Sequence, residues 1–241
     1  MIDKINRVLV FGAHPDDEII GSGGLIRKLA DLQKEVYVLT FTGGETSAKS
    51  PEEFDAMLEQ RAREMSKADG ILGIKERIVL PVPTQQCYAY LFGSQKIRIK
   101  GVQSEISALQ ACVYTIREIR PDLLLTHSAD NHIDHRGIAE ISSIALQDAD
   151  SNKMSEILGR GYKVPLAMRF SIKEDLNRVD YVIALTPEEL EAKVKAMGTQ
   201  GSQEKMKPLQ ELIETRAKYL GSKFGCGLAE GYELLRPVLI K

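Results

Sequence analysis

Apolar positions along the chain keep two different spacings in alternation. Val8, Leu9, Val10 and Phe11 form an uninterrupted apolar run, the pattern of a strand buried on both faces of a parallel sheet. Leu25, Ile26, Leu29 and Leu32 then recur at helical spacing, and residues 35–42 read as a second strand, so the chain opens with a βαβ unit. Residues 50–69 form the next predicted helix, with Ser50 as cap, Pro51 at the first helical position and Glu52 and Glu53 in the first turn. Its apolar stripe is Phe54, Met57, Leu58, Met65 and Ala68.

Residues 77–80 are a short strand ended by Pro81 and Pro83, while residues 84–101 keep neither period and read as a binding loop or an inserted hairpin. A helix is expected over residues 104–119, capped by Ser104 and stopped by Pro121, followed by a buried strand at residues 122–126. Ile138, Ile141, Ile144, Ala145 and Leu146 give another helix. Residues 150–178 look irregular, and their Tyr162, Lys163, Arg169 and Phe170 are expected to wall a pocket. A strand at 180–185, a helix opening at Thr186 and Pro187 and running to Met197, and a last helix over 208–220 complete the pattern. Strands alternating with helices in this way predict a single α/β domain over residues 1–241, its sheet mostly parallel and flanked by helices.

Composition narrows the partners. A formal net charge of −2 without a basic stripe gives neither nucleic acid nor an anionic membrane an electrostatic hold, which leaves a small molecule as the expected ligand. Three widely spaced cysteines make neither a disulfide framework nor a metal knuckle. Free thiols, and a first apolar run that reads as a strand rather than a signal segment, point to the cytoplasm. A homo-oligomer is compatible with the sequence.

The chemistry gathers where two strands end. The first runs into His14-Pro15-Asp16-Asp17-Glu18, where Pro15 biases His14 away from helical geometry and three adjacent carboxylates repel unless a cation joins them. The plainer alternative is a solvated helix N-terminus, which acids suit. The strand at 122–126 runs into a loop holding His127, His132, Asp134 and His135. All four histidines of the chain therefore follow buried strands, where open α/β sheets bind ligands. His127 reads equally well as a partner for its own loop backbone. Thr42-Gly43-Gly44-Glu45 ends the second strand on the same edge or as a plain turn. Gly21, Gly23 and Gly24 do not make a dinucleotide fingerprint. Arg61 falls on the stripe of its helix, either paired with Glu64 or emerging at a substrate pocket. Arg216 falls on the last stripe, with Glu230 as a candidate partner.

With both clusters in view, the sequence resembles the PIG-L/LmbE-type family of zinc-dependent deacetylases acting on N-acetylglucosamine compounds. The motif A-H-P-[DE]-D-E is matched by residues 13–18 and H-x-D-H by residues 132–135; residues 42–45, Arg61 with Glu64, Ser202 with Gln203, and Ala229 with Glu230 also look like family positions. The resemblance implies a Rossmann-like domain and one zinc per chain held by His14, Asp17 and His135. It makes Asp16 the general base, His132 the stabiliser of the oxyanion, Asp134 the group that orients a histidine, and Arg61 a substrate contact. There are two departures from the pattern: Ile133 stands where proline is usual, and Thr84 and Gln85 stand where many members place a sugar-binding aspartate.

Three protein ligands leave an open metal position for catalysis, and two histidines with one aspartate accept Zn²⁺ or Fe²⁺. The implied reaction is removal of an acetyl group from an N-acetylated amino sugar or its conjugate. A metal-dependent phosphoesterase with two ions and a non-catalytic metal-binding protein are the competing readings.

Overall fold

Val8 to Phe11 are fully buried because the strand that carries them, β1 (Arg7–Gly12), lies in the interior of a seven-stranded sheet. The computed structural model describes residues 2–203 and 206–236. After β1 come α1 (Asp17–Asp31), β2 (Glu35–Thr42), α2 (Phe54–Leu72), β3 (Glu76–Val82), α3 (Cys87–Phe92) and α4 (Ala108–Ile119). Then follow β4 (Leu123–His127), α5 (Ile133–Asp150), α6 (Ser155–Leu158), β5 (Leu166–Phe170), β6 (Tyr181–Ala184), α7 (Pro187–Met197), α8 (Met206–Phe224) and β7 (Ala229–Arg236).

The strand order is β3-β2-β1-β4-β5-β7-β6, parallel from β3 to β5, with β7 antiparallel to both neighbours. Successive side chains of each central strand feed opposite cores. Leu9, Phe11, Leu39 and Leu124 join α3, α4 and α5, whereas Val8, Val10, Val38 and Leu125 join α1, α7 and α8. The chain winds outward from β1 through β2 and β3, then crosses back to β4 on the other side. That reversal opens a crevice at the carboxyl ends of β1 and β4, the place where this architecture binds ligands.

Several sequence expectations change. α1 begins at Asp17, so Asp17, Glu18 and all three glycines are helical, ahead of the apolar spacing that starts at Leu25. The glycines serve packing: a Cβ on Gly21 would lie 2.2 Å from the Phe170 ring and one on Gly24 2.5 Å from Leu185. The cap of α4 is Ser107, in a reciprocal pair with Gln110, because Ile106 is held in a bridge with Ile97 and Ser104 precedes it. Residues 84–101 contain the short helix α3. Residues 150–178 are not irregular: they contain β5, an interior strand. Tyr162 packs on the core and donates to the Pro121 carbonyl instead of walling a pocket. β7 was absent from the sequence pattern altogether.

Arg216 and Glu230 do not pair. Arg216 donates to the Ile172 and Lys173 carbonyls, while Glu230 accepts from Lys193 at 2.6 Å, Tyr232 at 2.7 Å, and the Gly24 and Leu25 N–H groups. That buried carboxylate ties β7 and α7 to α1.

Candidate metal centre and active-site cavity

β1 ends at Gly12, and the turn that follows presents His14, places Asp16 at the N-cap of α1 and puts Asp17 in its first turn. β4 ends at His127, and its loop leads to His132, the N-cap of α5, with Asp134 and His135 in the first turn. The two strand ends are neighbours in the sheet, so residues about 120 positions apart meet. His14 Nδ1 lies 3.2 Å from Asp17 Oδ2 and 3.3 Å from His135 Nε2, and His135 Nε2 lies 3.5 Å from Asp17 Oδ1.

These spacings suit one ion. A tetrahedron with bonds of roughly 2.0–2.1 Å has edges of about 3.3–3.4 Å. Each histidine is also oriented from behind by a carboxylate: His14 Nε2 meets Asp134 Oδ2 at 3.1 Å, and His135 Nδ1 meets Asp130 Oδ2 at 2.7 Å. Such outer carboxylates fix the tautomer and ring angle of a metal-binding imidazole. Two candidate donor sets, His14/His132/His135 and Asp17/His127/His135, share His135.

Electrostatics favour positive charge there. Burial opposes a charge on His14, but Asp17, Asp134 and Asp16 outweigh it and push the imidazole up to about 10. Burial likewise opposes His135, and Asp17 with Asp130 raises it to about 9. Asp17 is buried, which would raise it, yet His135, His14 and His127 hold it well below the usual carboxylate range.

His132 differs. Its Nδ1 accepts the Asp134 N–H at 3.2 Å, which leaves its proton on Nε2. Burial, with charge on His14, His135 and Lys173, pushes it down to about 4, so near neutrality it is a neutral donor. His127 is fully buried and its Nε2 accepts the Ala13 N–H at 3.0 Å. The bond is to the turn after β1 and not to the backbone of its own loop, and the same Nε2 lies 3.3 Å from Asp17 Oδ2.

A cavity of about 720 Å³ opens over this cluster, lined in part by His14, Asp16, Asp17, Arg61, His132 and His135. Arg61 pairs with Glu64 and also lines the cavity: it is 1% exposed and reaches Glu64 and Asp16 at 3.4 Å each as well as Gln200 at 3.0 Å and Ser202 at 3.2 Å. Glu18 turns away from the cluster to Arg77 at 2.7 Å. The turn ending β2 does reach the site. Glu45 accepts from Thr84 N–H at 2.6 Å and Thr84 Oγ1 at 2.9 Å, and the next residue, Gln85, donates its N–H to Asp134 at 2.7 Å.

Sequence reading missed Asp130, the Glu45–Thr84 clamp and Gln200. Asp130 could have been found as the acid in the same loop as His135. Gln200 carries no such sign, because only the folded chain brings it to Arg61.

A model of the PIG-L family, described as GlcNAc-PI de-N-acetylase, matches residues 9–146, more than half of the chain. Among curated relatives, diacetylchitobiose deacetylase of Thermococcus kodakarensis is 28% identical over 252 residues, covering 99% of this chain and 86% of the relative. The 1D-myo-inositol 2-acetamido-2-deoxy-alpha-D-glucopyranoside deacetylase of Kineococcus radiotolerans is 28% identical over 188 residues, 68% of this chain and 50% of its own. The chain thus spans about half the length of the inositol-glycoside deacetylases it matches. In fold it is similar to the N,N'-diacetylchitobiose deacetylase of Pyrococcus horikoshii, at 19% identity and a TM-score of 0.80 over 97% of this chain and 85% of the other. It is also similar, at 18% identity and a TM-score of 0.77 over 98% of each, to a 4-carboxy-2-hydroxymuconate hydratase of Pseudomonas putida. The fold therefore hosts more than one chemistry, and function resides in the site rather than in the fold.

Proposed function

The chain belongs to the PIG-L family, and on that footing we propose that it is a metal-dependent N-deacetylase, hydrolysing the acetamide of an N-acetylated amino sugar or its conjugate. The observation that carries the reading is the convergence of His14, Asp17 and His135 within 3.5 Å of one another, each histidine backed by a carboxylate. A bound divalent metal, with zinc the choice best suited to this donor set, would polarise the amide carbonyl and lower the pKa of a water to about 7.

The protein's own groups do the rest. Asp16, at the cavity wall and steadied by Arg61 at 3.4 Å, takes the proton of the attacking water and returns it to the departing amine, so that water and amide become acetate and free amine. His132 directs its Nε2–H at the oxygen that gains charge. Arg61 contacts the substrate from the wall it already lines. Cys87, Cys112 and Cys226 are all unpaired, which supports action in the reducing cytoplasm; no described helix is long and apolar enough to cross a membrane.

The test is acetate and amine release from N-acetylglucosamine, diacetylchitobiose and N-acetylglucosaminyl inositol by metal-replete protein, with metal content measured on the same sample. One metal per chain and stoichiometric acetate are expected. Two tightly held metals with phosphate-ester hydrolysis and no acetate would replace this reading with the phosphoesterase one.

A further inference from the structure

We propose that Glu64 and Ser202 are positioning residues for the reaction: they hold Arg61 back from Asp16, so that the carboxylate is steadied by the guanidinium without being captured by it. The inference rests on the N-deacetylase reading, in which Asp16 keeps an oxygen free for the proton of the attacking water.

Asp16 sits at the N-cap of α1, yet its carboxylate makes no capping bond. Its orientation is left to Arg61, whose Nη2 lies 3.4 Å from Asp16 Oδ2. A guanidinium that closes freely on a carboxylate forms charge-assisted bonds of about 2.7–2.9 Å, often two in parallel. Arg61 does neither. It stands between two acids at one separation, 3.4 Å from Glu64 as from Asp16, and Glu64 lies three residues further along α2.

The hold on the Glu64 side is built from more than charge. The turn after α7 carries Gln200 and Ser202 onto α2, and Glu64 receives it with both oxygens: Oε1 accepts the Ser202 N–H at 2.8 Å and Oε2 the Ser202 hydroxyl at 2.6 Å. With its proton given to Glu64, that hydroxyl has a lone pair for Arg61 Nη1, 3.2 Å away. Gln200 Oε1 takes the same Nη1 at 3.0 Å, while its amide nitrogen donates to Thr199 Oγ1 at 3.2 Å. Thr199 in turn anchors the turn to α7 through the Ala196 carbonyl at 2.8 Å. Nη1 therefore meets Gln200, Ser202 and Glu64, whereas Nη2 meets Asp16. The opposite side is closed by the turn after β2, where a Cβ on Gly44 would lie 3.0 Å from Arg61 Nε. That Nε is buried and has no hydrogen-bond partner among the described residues, the sign of a guanidinium fixed by its Nη1 anchors rather than settled by its own bonds. When the Ser202 hydroxyl or the Glu64 charge is removed, Arg61 closes on Asp16 and occupies the oxygen that has to receive the proton.

The test compares the metal-loaded protein with its Ser202→Ala, Ser202→Thr and Glu64→Gln variants in acetate release, metal content, unfolding midpoint and crystal structure. Ser202→Ala and Glu64→Gln should keep the metal and shorten the Arg61–Asp16 contact from 3.4 Å to about 2.9 Å. Their kcat should fall roughly tenfold with KM within about twofold, since a reacting group misplaced by about 1 Å already costs on the order of 10². Ser202→Thr, which keeps the hydroxyl, should retain the kcat of the unaltered protein. In an Arg61→Gln background, Ser202→Ala should lower kcat no further, because both changes act on one contact. A lowered unfolding midpoint with kcat unchanged would make the cluster a structural brace, a raised KM at constant kcat would make Ser202 a substrate contact, and an equal fall of kcat in the Arg61→Gln background would detach the effect from Arg61. Each of these outcomes overturns the inference, as does loss of the metal or an Arg61–Asp16 separation that does not change. If the unaltered protein releases no acetate while the contact still closes in the variants, the restraint on Arg61 stands and the deacetylase reading falls.

Discussion

Asp17 and Glu18 are adjacent, both in the first turn of α1 and both buried, yet they belong to opposite kinds of charge cluster. Glu18 meets Arg77 at 2.7 Å, and the same guanidinium holds Asp69 at 2.5 Å and Thr40 Oγ1 at 2.7 Å. That cluster contains its own permanent cation and braces α1 and α2 against β2 and β3. Asp17 faces three histidines and, among the described residues, no lysine or arginine. Its compensation is left to protons or to a metal, which is the mark of a site rather than a brace. A single residue step, about 100° around the helix, separates the two functions.

The largest effect comes from emptying the site. His135→Ala removes one of three converging donors, so metal content and acetate release should fall together toward the level of metal-free protein, with partial rescue by excess metal. Retained metal with lost activity would take His135 out of the donor set. On the bracing side, Arg77→Met leaves the buried Glu18 and the half-buried Asp69 without their cation and should cost about 3–5 kcal/mol in denaturant unfolding. A loss below about 1 kcal/mol would mean that Glu18 is protonated in the native protein, the direction in which burial pushes it.

Within the site the comparison sharpens between residues that hold and residues that act. Asp16→Asn should keep the metal and lose on the order of 10²–10⁴ in kcat. His132→Ala should also keep the metal and lose on the order of 10²–10³, because a donor aimed at the developing oxyanion acts mainly in the transition state. Metal stripped by His132→Ala would instead favour the donor set in which His132 joins His14 and His135.

What the sequence revealed follows the same division. The central strands were legible because both their faces are buried, which leaves Val8–Phe11 and Leu123–Leu125 as unbroken apolar runs. β5 and β7 were not. Arg169 and Glu233 interrupt their patterns with an ion pair across the two strands, invisible to any single-strand periodicity. The two clusters that hold His14, Asp17 and His135 were legible by residue type next to strand ends, but only the family resemblance singled these three out as candidate donors. Glu18 has the same type in the same motif and was indistinguishable from them until Arg77 was seen beside it. Residues that act through backbone groups, such as Gln85, leave no compositional trace.

The smallest effect isolates that last class. Gln33 and Gln85 are both glutamines in the left-handed region, with φ of 59° and 67°. Gln33 closes the C-terminus of α1, its N–H on the Ala30 carbonyl. Gln85 closes the turn after β3 and delivers its N–H to Asp134, which in turn holds His14 at 3.1 Å. For a non-glycine residue this conformation costs about 1–2 kcal/mol, and glycine returns roughly 0.5–1 of that in lost backbone entropy. Gln33→Gly and Gln85→Gly should therefore each stabilise the protein by about 1 kcal/mol or less, as read by the unfolding midpoint. Function should separate them. Gln33→Gly leaves acetate release and metal affinity as they were, while Gln85→Gly loosens the turn that positions Asp134 and weakens metal affinity a few-fold. Equal behaviour of the two variants in a metal-competition titration would show that the Gln85 turn carries ordinary strain and takes no part in aiming His14.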